Sequence, residues 1–289
     1  LQGMGFPAQA IPDGFAVPFY FYDEFMKFNN FYADVERMMD LNNFEKDAGL
    51  RERVLGILRD GIEEGEMPDW MLDALAAMQG SFPSDMPIRL RSSTNNEDLP
   101  GFSGAGLYDS FTHRPDEGHI AKSVKQVFAS LWNFRAFEER EFYKIDHYSA
   151  AMGILVHPNY DDEAANGVAV SDDIVYEVPG VNPGRTYYVN VQIGEDLVTN
   201  PEDASIPEEV LLNSALPVKD RLINRSNRTD VVLLNAEDKQ GLRDYLNRIH
   251  NGFRELYGVE AGEQFAMEIE FKITYDGVLA IKQARPWVY

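Results

Sequence analysis

The segment FAMEIEFKITYDGVLAIKQARP, which closes the chain, is the feature that most constrains its fold. Apolar and polar residues alternate on both sides of the Asp-Gly pair at 276–277, and this pattern predicts a β-hairpin. With a two-residue turn and no bulge in either strand, Glu270 lies opposite Gln283 and Glu268 opposite Arg285. The four side chains then share one face of a sheet, and the alternate residues face a core.

The shared face has the composition of a metal site. Two carboxylates beside an amide oxygen are hard oxygen ligands, which suit Mg²⁺ bound together with substrate phosphates. We therefore predict Glu268, Glu270 and Gln283 as metal ligands, with Arg285 pairing with a carboxylate or contacting a phosphate. The alternative is a solvated sheet face with one cross-strand ion pair.

A second segment, IRLRSSTNNEDLPGFSGAGLYDS at 88–110, begins like a strand and continues as a loop of small residues. The strand-like alternation ends at Arg91, and the loop contains Gly104 and Gly106. Glycines permit close backbone approach, and oriented N–H groups bind anions without adding charge. The segment is either a phosphate site or a surface turn.

Charge and composition exclude several classes of partner. The 289 residues contain 26 Lys+Arg and 48 Asp+Glu, a net charge of −22, which repels nucleic acids and anionic lipid surfaces. There is no cysteine, so disulfides and thiolate zinc sites are excluded. No apolar run approaches the roughly 18 residues of a membrane span, and no signal peptide is visible. We expect a cytoplasmic protein without nucleic acid or membrane partners, and the non-methionine Leu1 indicates a fragment.

The order of patterns along the chain predicts an α+β fold with two lobes, residues 1–155 and 156–289. Periods typical of helices occur in LRERVLGILRDGIEEG, PDWMLDALAAM, HIAKSVKQVFASLWNF and residues 237–257. Patterns typical of strands occur in AAMGILVH, NGVAVS, DIVYEV and RTYYVNVQI. Each of the two lobes is therefore expected to combine helices and strands.

Four segments resemble one known family. RSSTNNEDLPGFSGAG is similar to the phosphate-loop signature of phosphoenolpyruvate synthase and pyruvate phosphate dikinase, and EIEF with IKQARP is similar to the family's closing metal-binding hairpin. IPDGFAV and VKQVFASLWNFRAFEER also resemble family segments, in the same order along the chain. The resemblance implies the family's nucleotide-binding domain, a two-lobed ATP-grasp fold with the nucleotide cleft between the lobes.

The resemblance also implies roles for individual residues. Arg91 would contact the ATP phosphates, and both Arg91 and Arg285 would stabilise charge during phosphoryl transfer. Adenine would contact backbone amides within residues 153–157, where Leu155 replaces a glutamine common in the family, and Gly194 with the next residue would line the cleft. The implied nucleotide-binding residues are Arg91, Gly104, Gly106, Ser110, Leu155, Glu195, Glu268, Glu270, Gln283 and Arg285.

The function implied by the resemblance is an ATP- and Mg²⁺-dependent kinase domain that passes phosphate to a histidine on a separate domain. None of the five histidines of this chain lies in the family's phosphohistidine motif, so that domain and the pyruvate-binding domain are expected elsewhere in the full-length protein. The family's phosphate-binding Gly-Gly-Lys segment is expected before residue 1, and the fragment is not expected to be active alone. The alternatives are a nucleotide-binding regulatory module that has lost turnover, or a dikinase whose acceptor is a glucan or an antibiotic.

Overall fold

A computed structural model describes residues 1, 3–11, 13–96, 98–99, 102–104, 106–159, 163–176, 186–194, 204–214, 219–260 and 262–287. The chain divides into two compact units: an N-terminal unit, Asp13–Asn159, and a C-terminal unit that joins Leu1–Pro12 to Tyr160–Tyr289. The predicted boundary at residue 155 falls inside a strand, so the structure places the division four residues later. The first residues belong to the C-terminal unit because Phe6 packs on Tyr245, with ring centres 5.0 Å apart.

Within its described residues, the N-terminal unit combines a four-stranded antiparallel sheet, in the strand order β1-β6-β2-β5, with six helices and a separate two-stranded ladder, β3-β4. Its strands are β1 (Phe15–Val17), β2 (Ile88–Thr94), β3 (Asp98–Leu99), β4 (Phe102–Ser103), β5 (Phe111–His113) and β6 (Met152–Pro158). Its helices are α1 (Phe19–Phe28), α2 (Phe31–Met39), α3 (Ala48–Glu64), α4 (Asp69–Gln79), α5 (Ala121–Ser130) and α6 (Phe134–Tyr143), with a short 3₁₀ turn at Pro115–Glu117.

Most of the apolar residues that recur at helical spacing in this unit are buried, but Ile57 is an exception. Val124, Val127 and Phe128 of α5 are fully buried, as their spacing predicts. In α3, Leu58 is buried, whereas the adjacent apolar residue Ile57 is 69% exposed. Adjacent positions on a helix are 100° apart, and α3 packs with only one of these two sides.

The described residues of the C-terminal unit form a six-stranded antiparallel sheet with one long helix, in the strand order β10-β9-β8-β7-β11-β12. Its elements are a 3₁₀ turn at Ala8–Ala10, β7 (Glu163–Val170), β8 (Thr186–Ile193), β9 (Glu208–Asn213), β10 (Arg221–Asn224), α7 (Ala236–Leu256), β11 (Met267–Thr274) and β12 (Leu279–Pro286). The predicted α+β class is confirmed.

Helix α7 begins at a capping box and covers one face of this sheet. The Asn235 side chain accepts hydrogen bonds from the backbone N–H groups of Glu237 and Asp238, and Asp238 in turn accepts from Asn235 N. Leu242 and Leu246 pack in one core with the alternate residues of the strands. In the part of the chain that the structure describes, neither α7 nor any other helix is both long and apolar enough to cross a bilayer.

The strand predicted at DIVYEV is absent from its described residues, 173–176. Asp173 Oδ1 accepts hydrogen bonds from the backbone N–H groups of Val175, at 3.2 Å, and Tyr176, at 2.8 Å. This local turn uses the donors that a strand would offer to a neighbour. The last two residues of the predicted strand lie outside the described residues.

Candidate functional site

The β11–β12 hairpin carries the predicted polar side chains on one face of the C-terminal sheet, called the polar face below. Glu268 lies opposite Arg285 and Glu270 opposite Gln283, as predicted. Arg285 donates from Nε to Glu268 Oε1 at 2.8 Å, and from Nη2 to the same oxygen. Glu268 is only 8% exposed, so the polar face contains a nearly buried carboxylate that is held by a cation.

The register arises differently from the prediction. The turn contains three residues, because Thr274 N donates to Val278 O at 3.0 Å, and Gly277 provides the required positive φ of 83°. Lys282 then forms a bulge in β12, opposite the step from Glu270 to the next residue of β11. The predicted two-residue turn and the absence of a bulge were wrong. Each departure shifts the register by one residue in the opposite sense, so the functional pairs are preserved.

The bulge also places Lys282 beside Glu163 of β7. Lys282 Nζ lies 2.6 Å from Glu163 Oε1, and Lys272 Nζ lies 3.8 Å from the same oxygen. Lys272 is 3% exposed and shares the polar face with Glu270, two residues before it on β11. This lysine–glutamate–lysine cluster was not predicted from the sequence, although strand alternation alone assigns Lys272 to that face.

A row of side chains that are polar except for Val168 extends from Glu270 across the sheet. Successive cross-strand partners are Glu270, Val168, Asn190, Glu209 and Asn224. Glu209 is 8% exposed and accepts hydrogen bonds from Tyr188 Oη at 2.7 Å, Tyr176 Oη at 2.9 Å and Asn224 Nδ2 at 2.6 Å. Burial, and then the bond to Glu209, raises the pKa of Tyr188. The alternation of YYVNVQ indicates this face, but only the sheet order brings Glu209 to it.

In the N-terminal unit, Arg91 lies within β2 rather than at its end. The strand continues to Thr94 because β6 pairs with it along its whole length. Arg91 lies directly opposite Leu155, so two predicted nucleotide-binding residues share one face. Ser110 joins them, because its Oγ accepts a hydrogen bond from the backbone N–H of Ser92 at 3.2 Å.

The backbone at Leu155 is already used in the sheet. Strand β6 lies between β1 and β2, and Leu155 has a partner on each side, Ala16 and Arg91. The backbone contact to adenine expected from the resemblance therefore competes with sheet pairing. The Leu155 side chain is 43% exposed and is the group that this position offers to a ligand.

Glycine has a conformational role in the described part of the segment 95–110, called the glycine loop below. Leu107 N donates to Gly104 O at 3.1 Å and closes a turn, in which Gly106 has a φ of +74°. No atom lies within 4 Å of the position of a Cβ on Gly106, so its backbone conformation, not space, favours glycine. Glu195, predicted to contact nucleotide, lies outside the described residues. Its neighbour Gly194 accepts a hydrogen bond from Asn166 Nδ2 at 2.6 Å.

The polar face can be tested for its fit to a metal ion. Within the described residues, no group of three or more His, Asp or Glu side chains is arranged to hold one. The predicted set has two carboxylates and one amide, Glu268, Glu270 and Gln283, of which the last two are direct cross-strand partners. A set of two or three oxygen ligands suits Mg²⁺, which keeps waters or substrate phosphates in its remaining positions.

Comparison with known proteins identifies the class of this domain. The family model described as "Pyruvate phosphate dikinase, AMP/ATP-binding domain" matches residues 8–288. Phosphoenolpyruvate synthase of Escherichia coli (strain K12) is 25% identical over 99% of this chain and 38% of its own length. The enzyme of Deinococcus radiodurans is 27% identical over 60% of this chain and 22% of its length. The probable phosphoenolpyruvate synthase of Methanothermobacter thermautotrophicus is 26% identical over 72% of this chain and 28% of its own length.

The chain therefore belongs to the family of pyruvate phosphate dikinase AMP/ATP-binding domains, and the family predicted from its motifs is confirmed. It spans less than half the length of each of these three relatives. Among solved structures, D-alanyl-alanine synthetase A of Vibrio cholerae is similar to this chain, with 12% sequence identity and a TM-score of 0.32. The similarity covers 81% of this chain and 54% of the synthetase chain.

Proposed function

We propose that this domain binds ATP together with Mg²⁺ and supplies a phosphoryl group to a histidine on another domain of a phosphoenolpyruvate synthase-like enzyme. The observation that carries the proposal is the paired arrangement of Glu268 with Arg285 and Glu270 with Gln283 on the polar face. Family membership supports ATP as the nucleotide. An ATP-grasp fold is part of the proposal, since that fold suits a nucleotide domain with a glycine loop and a carboxylate-bearing sheet.

Each group has a distinct role in this proposal. Glu270, Gln283 and the second oxygen of Glu268 would hold Mg²⁺, which when bound neutralises phosphate charge and fixes its geometry. Arg91 and Arg285 would be the catalytic cations that stabilise charge on the transferring group. Backbone N–H groups around Gly104 and Gly106, with the Ser110 hydroxyl, would bind phosphate oxygens, and Leu155 would contact adenine. Glu195 remains a proposed contact.

In such a reaction the protein acts by positioning and electrostatics. Phosphoryl transfer requires little covalent chemistry from the enzyme, so the arrangement of cations around the phosphates supplies most of the rate enhancement. The acceptor histidine and the pyruvate-binding domain are proposed to lie elsewhere in the full-length protein. A cytoplasmic location, where ATP is available, is part of the same proposal.

Isothermal titration calorimetry on the 289-residue chain tests the nucleotide part of this proposal. We expect ATP to bind in the presence of Mg²⁺ and to bind much more weakly when EDTA removes the metal ion. Tripolyphosphate with Mg²⁺ should compete, because the phosphates supply most contacts. Absence of binding at millimolar ATP with Mg²⁺ would contradict the proposal for this chain.

A second measurement tests the transfer step. The full-length protein, incubated with ATP labelled in its phosphates, should acquire an acid-labile, alkali-stable label, as expected for phosphohistidine. Binding of ATP without such labelling would favour the alternative of a regulatory module that has lost turnover.

A further inference from the structure

Arg140 of α6 is fully buried at the centre of a polar network in the N-terminal unit. Its guanidinium donates from Nε to His147 Nδ1 at 3.1 Å, from Nη2 to Leu131 O at 2.8 Å and from Nη1 to Tyr108 Oη at 3.4 Å. The guanidinium carbon also lies 5.7 Å from the ring centre of Trp132. All three acceptors are neutral groups. A buried cation is costly unless its partners compensate for its lost hydration, so these three hydrogen bonds must provide that compensation.

The network assigns the protonation of His147. Arginine can only donate, so His147 Nδ1 is the acceptor and the proton of the neutral ring lies on Nε2. Nε2 lies 2.8 Å from Glu141 Oε1, to which it donates. Burial, and then the charge of Arg140, lowers the pKa of His147, which agrees with a neutral ring. Arg140 is thereby connected to a carboxylate through the imidazole and is held in a defined orientation.

At its other end the network reaches both sides of the glycine loop. Because Tyr108 Oη accepts from Arg140, its own hydrogen is donated to Asn96 Oδ1, 3.3 Å away. Asn96 is 5% and Tyr108 9% exposed, and they are 12 residues apart in the chain. Gly104 and Gly106 lie between them. One hydrogen bond between buried side chains therefore joins the two ends of the loop, and Arg140 holds it from α6.

Two asparagines attach the same loop ends to the surrounding frame. Asn95 donates from Nδ2 to Ser149 O at 2.8 Å and accepts at Oδ1 from Ala151 N at 2.8 Å. Asn133 Nδ2 donates to Leu107 O at 3.2 Å and also contacts Asp109 Oδ2 at 3.0 Å. Of these ties, the Tyr108–Asn96 bond directly connects one end of the loop to the other.

We propose that Arg140 is a positioning residue for phosphate binding, which acts through Tyr108 to hold the ends of the glycine loop at the spacing its backbone N–H groups need to bind phosphate. The inference rests on the proposed function of the loop. A loop that visits the binding conformation only part of the time binds with an affinity reduced by that fraction. The buried cation stabilises a single conformation of the loop ends and so keeps this fraction high.

The test compares two buried tyrosines in the same core. Tyr108→Phe removes the hydroxyl that connects Arg140 to Asn96. Tyr22→Phe is the matched control, because Tyr22 is fully buried and its hydroxyl accepts from Trp132 Nε1 at 3.0 Å without contacting the loop. Hydrogen exchange of the Leu107 amide, which bonds to Gly104 O, reports loop opening in the absence of nucleotide.

Both measurements are made well below the melting temperature of the variant. We expect Tyr108→Phe to speed the exchange of the Leu107 amide by about tenfold. We also expect it to weaken MgATP binding by about fivefold. Tyr22→Phe should lower the melting temperature and leave both readouts unchanged. Unchanged exchange and affinity in Tyr108→Phe, or equal changes in the control, would overturn the proposal. If Tyr108→Phe does not fold, Asn96→Ala cuts the same connection from the loop side, with the same expected results.

The two readouts separate this inference from the proposed function. Hydrogen exchange in the Tyr108→Phe variant involves no nucleotide, so it tests only whether the bond from Tyr108 to Asn96 holds the loop ends. Titration of the unaltered chain with MgATP tests nucleotide binding alone. If the variant exchanges faster but the unaltered chain does not bind ATP, the network holds the loop ends without any role in phosphate binding. That result would overturn the assignment of Arg140 to phosphate binding.

Discussion

The glycine loop of the N-terminal unit and the polar face of the C-terminal unit provide polar groups in opposite ways. The loop offers backbone groups, and its geometry depends on side chains outside its centre, such as Tyr108 and Asn133. The polar face offers charged side chains, such as Glu268 and Arg285, whose positions follow from the strand register. A loop thus needs anchors to define a site, whereas a sheet defines one through its ladder of hydrogen bonds.

Two glycines, one on the core side of the sheet that carries the polar face and one in the glycine loop, serve different purposes, and replacing them tests the contrast most strongly. A Cβ on Gly167 of β7 would lie 2.4 Å from the Phe271 ring and 2.5 Å from Asn190 O. We expect Gly167→Ala to lower the free energy of unfolding by about 3 kcal/mol, because backbone and core must both move. Urea denaturation measures this change.

Gly106→Ala is the matched control in the glycine loop. Space is available there, and only the positive φ opposes a side chain. Its expected cost is about 1 kcal/mol, with weaker MgATP binding. Equal stability losses in the two variants would contradict the distinction between a glycine required for space and one required for conformation.

Arg91 tests whether the N-terminal site binds phosphate through a side chain as well as through the backbone. Arg91→Ala should weaken MgATP binding by ~30-fold, equivalent to about 2 kcal/mol, and change the melting temperature little. The control is Arg89→Ala on the same face of β2, where the guanidinium donates to Thr112 Oγ1 at 3.0 Å. A collapse of the melting temperature in Arg91→Ala with unchanged affinity would make Arg91 a structural residue.

On the polar face, Glu270→Gln should reduce the Mg²⁺ dependence of ATP binding. We expect about tenfold weaker binding with Mg²⁺, since an amide replaces a carboxylate ligand, and little change in EDTA. Glu209→Gln is the control, because Glu209 lies on the same row and accepts hydrogen bonds from tyrosine hydroxyls and Asn224. An equal loss in both variants would indicate a general electrostatic effect in place of a metal site at Glu270.

The smallest expected effect is a pH dependence shared by the two units. His147 Nδ1 accepts from Arg140, and His250 Nδ1 lies at hydrogen-bond distance, 2.8 Å, from the Ser171 hydroxyl. Burial lowers the pKa of both rings. Below about pH 6.5 the unfolded chain binds protons that the folded chain does not, so stability should fall as the pH decreases through this range.

Thermal denaturation at pH 7.5 and 5.5 measures this dependence. In the double variant His147→Asn, His250→Asn, the amide groups can make hydrogen bonds in place of the ring nitrogens without titrating, so the decrease in melting temperature at pH 5.5 should be smaller than in the unaltered chain. An identical decrease in both proteins would show that the carboxylates alone produce the acid sensitivity.

Local patterns in the sequence determined much of this protein. Strand alternation placed Glu268 and Glu270 on one face and Ile269 in the core, and helical spacing placed Val124 and Phe128 in the core. The order of motifs along the chain identified the family. These features depend on residues close in sequence, where the periods of helix and strand apply directly.

Tertiary structure decided the features that join distant segments. The bulge at Lys282 and the three-residue turn compensate for each other, and neither can be read from alternation alone. Strand β2 continues past Arg91 because β6 pairs with it, and Leu155 of β6 is paired with β1 on one side and with β2 on the other. One hydrogen bond of the Arg140 network joins residues 32 positions apart. Such contacts depend on the packing of whole elements, which determines which buried polar groups can find partners.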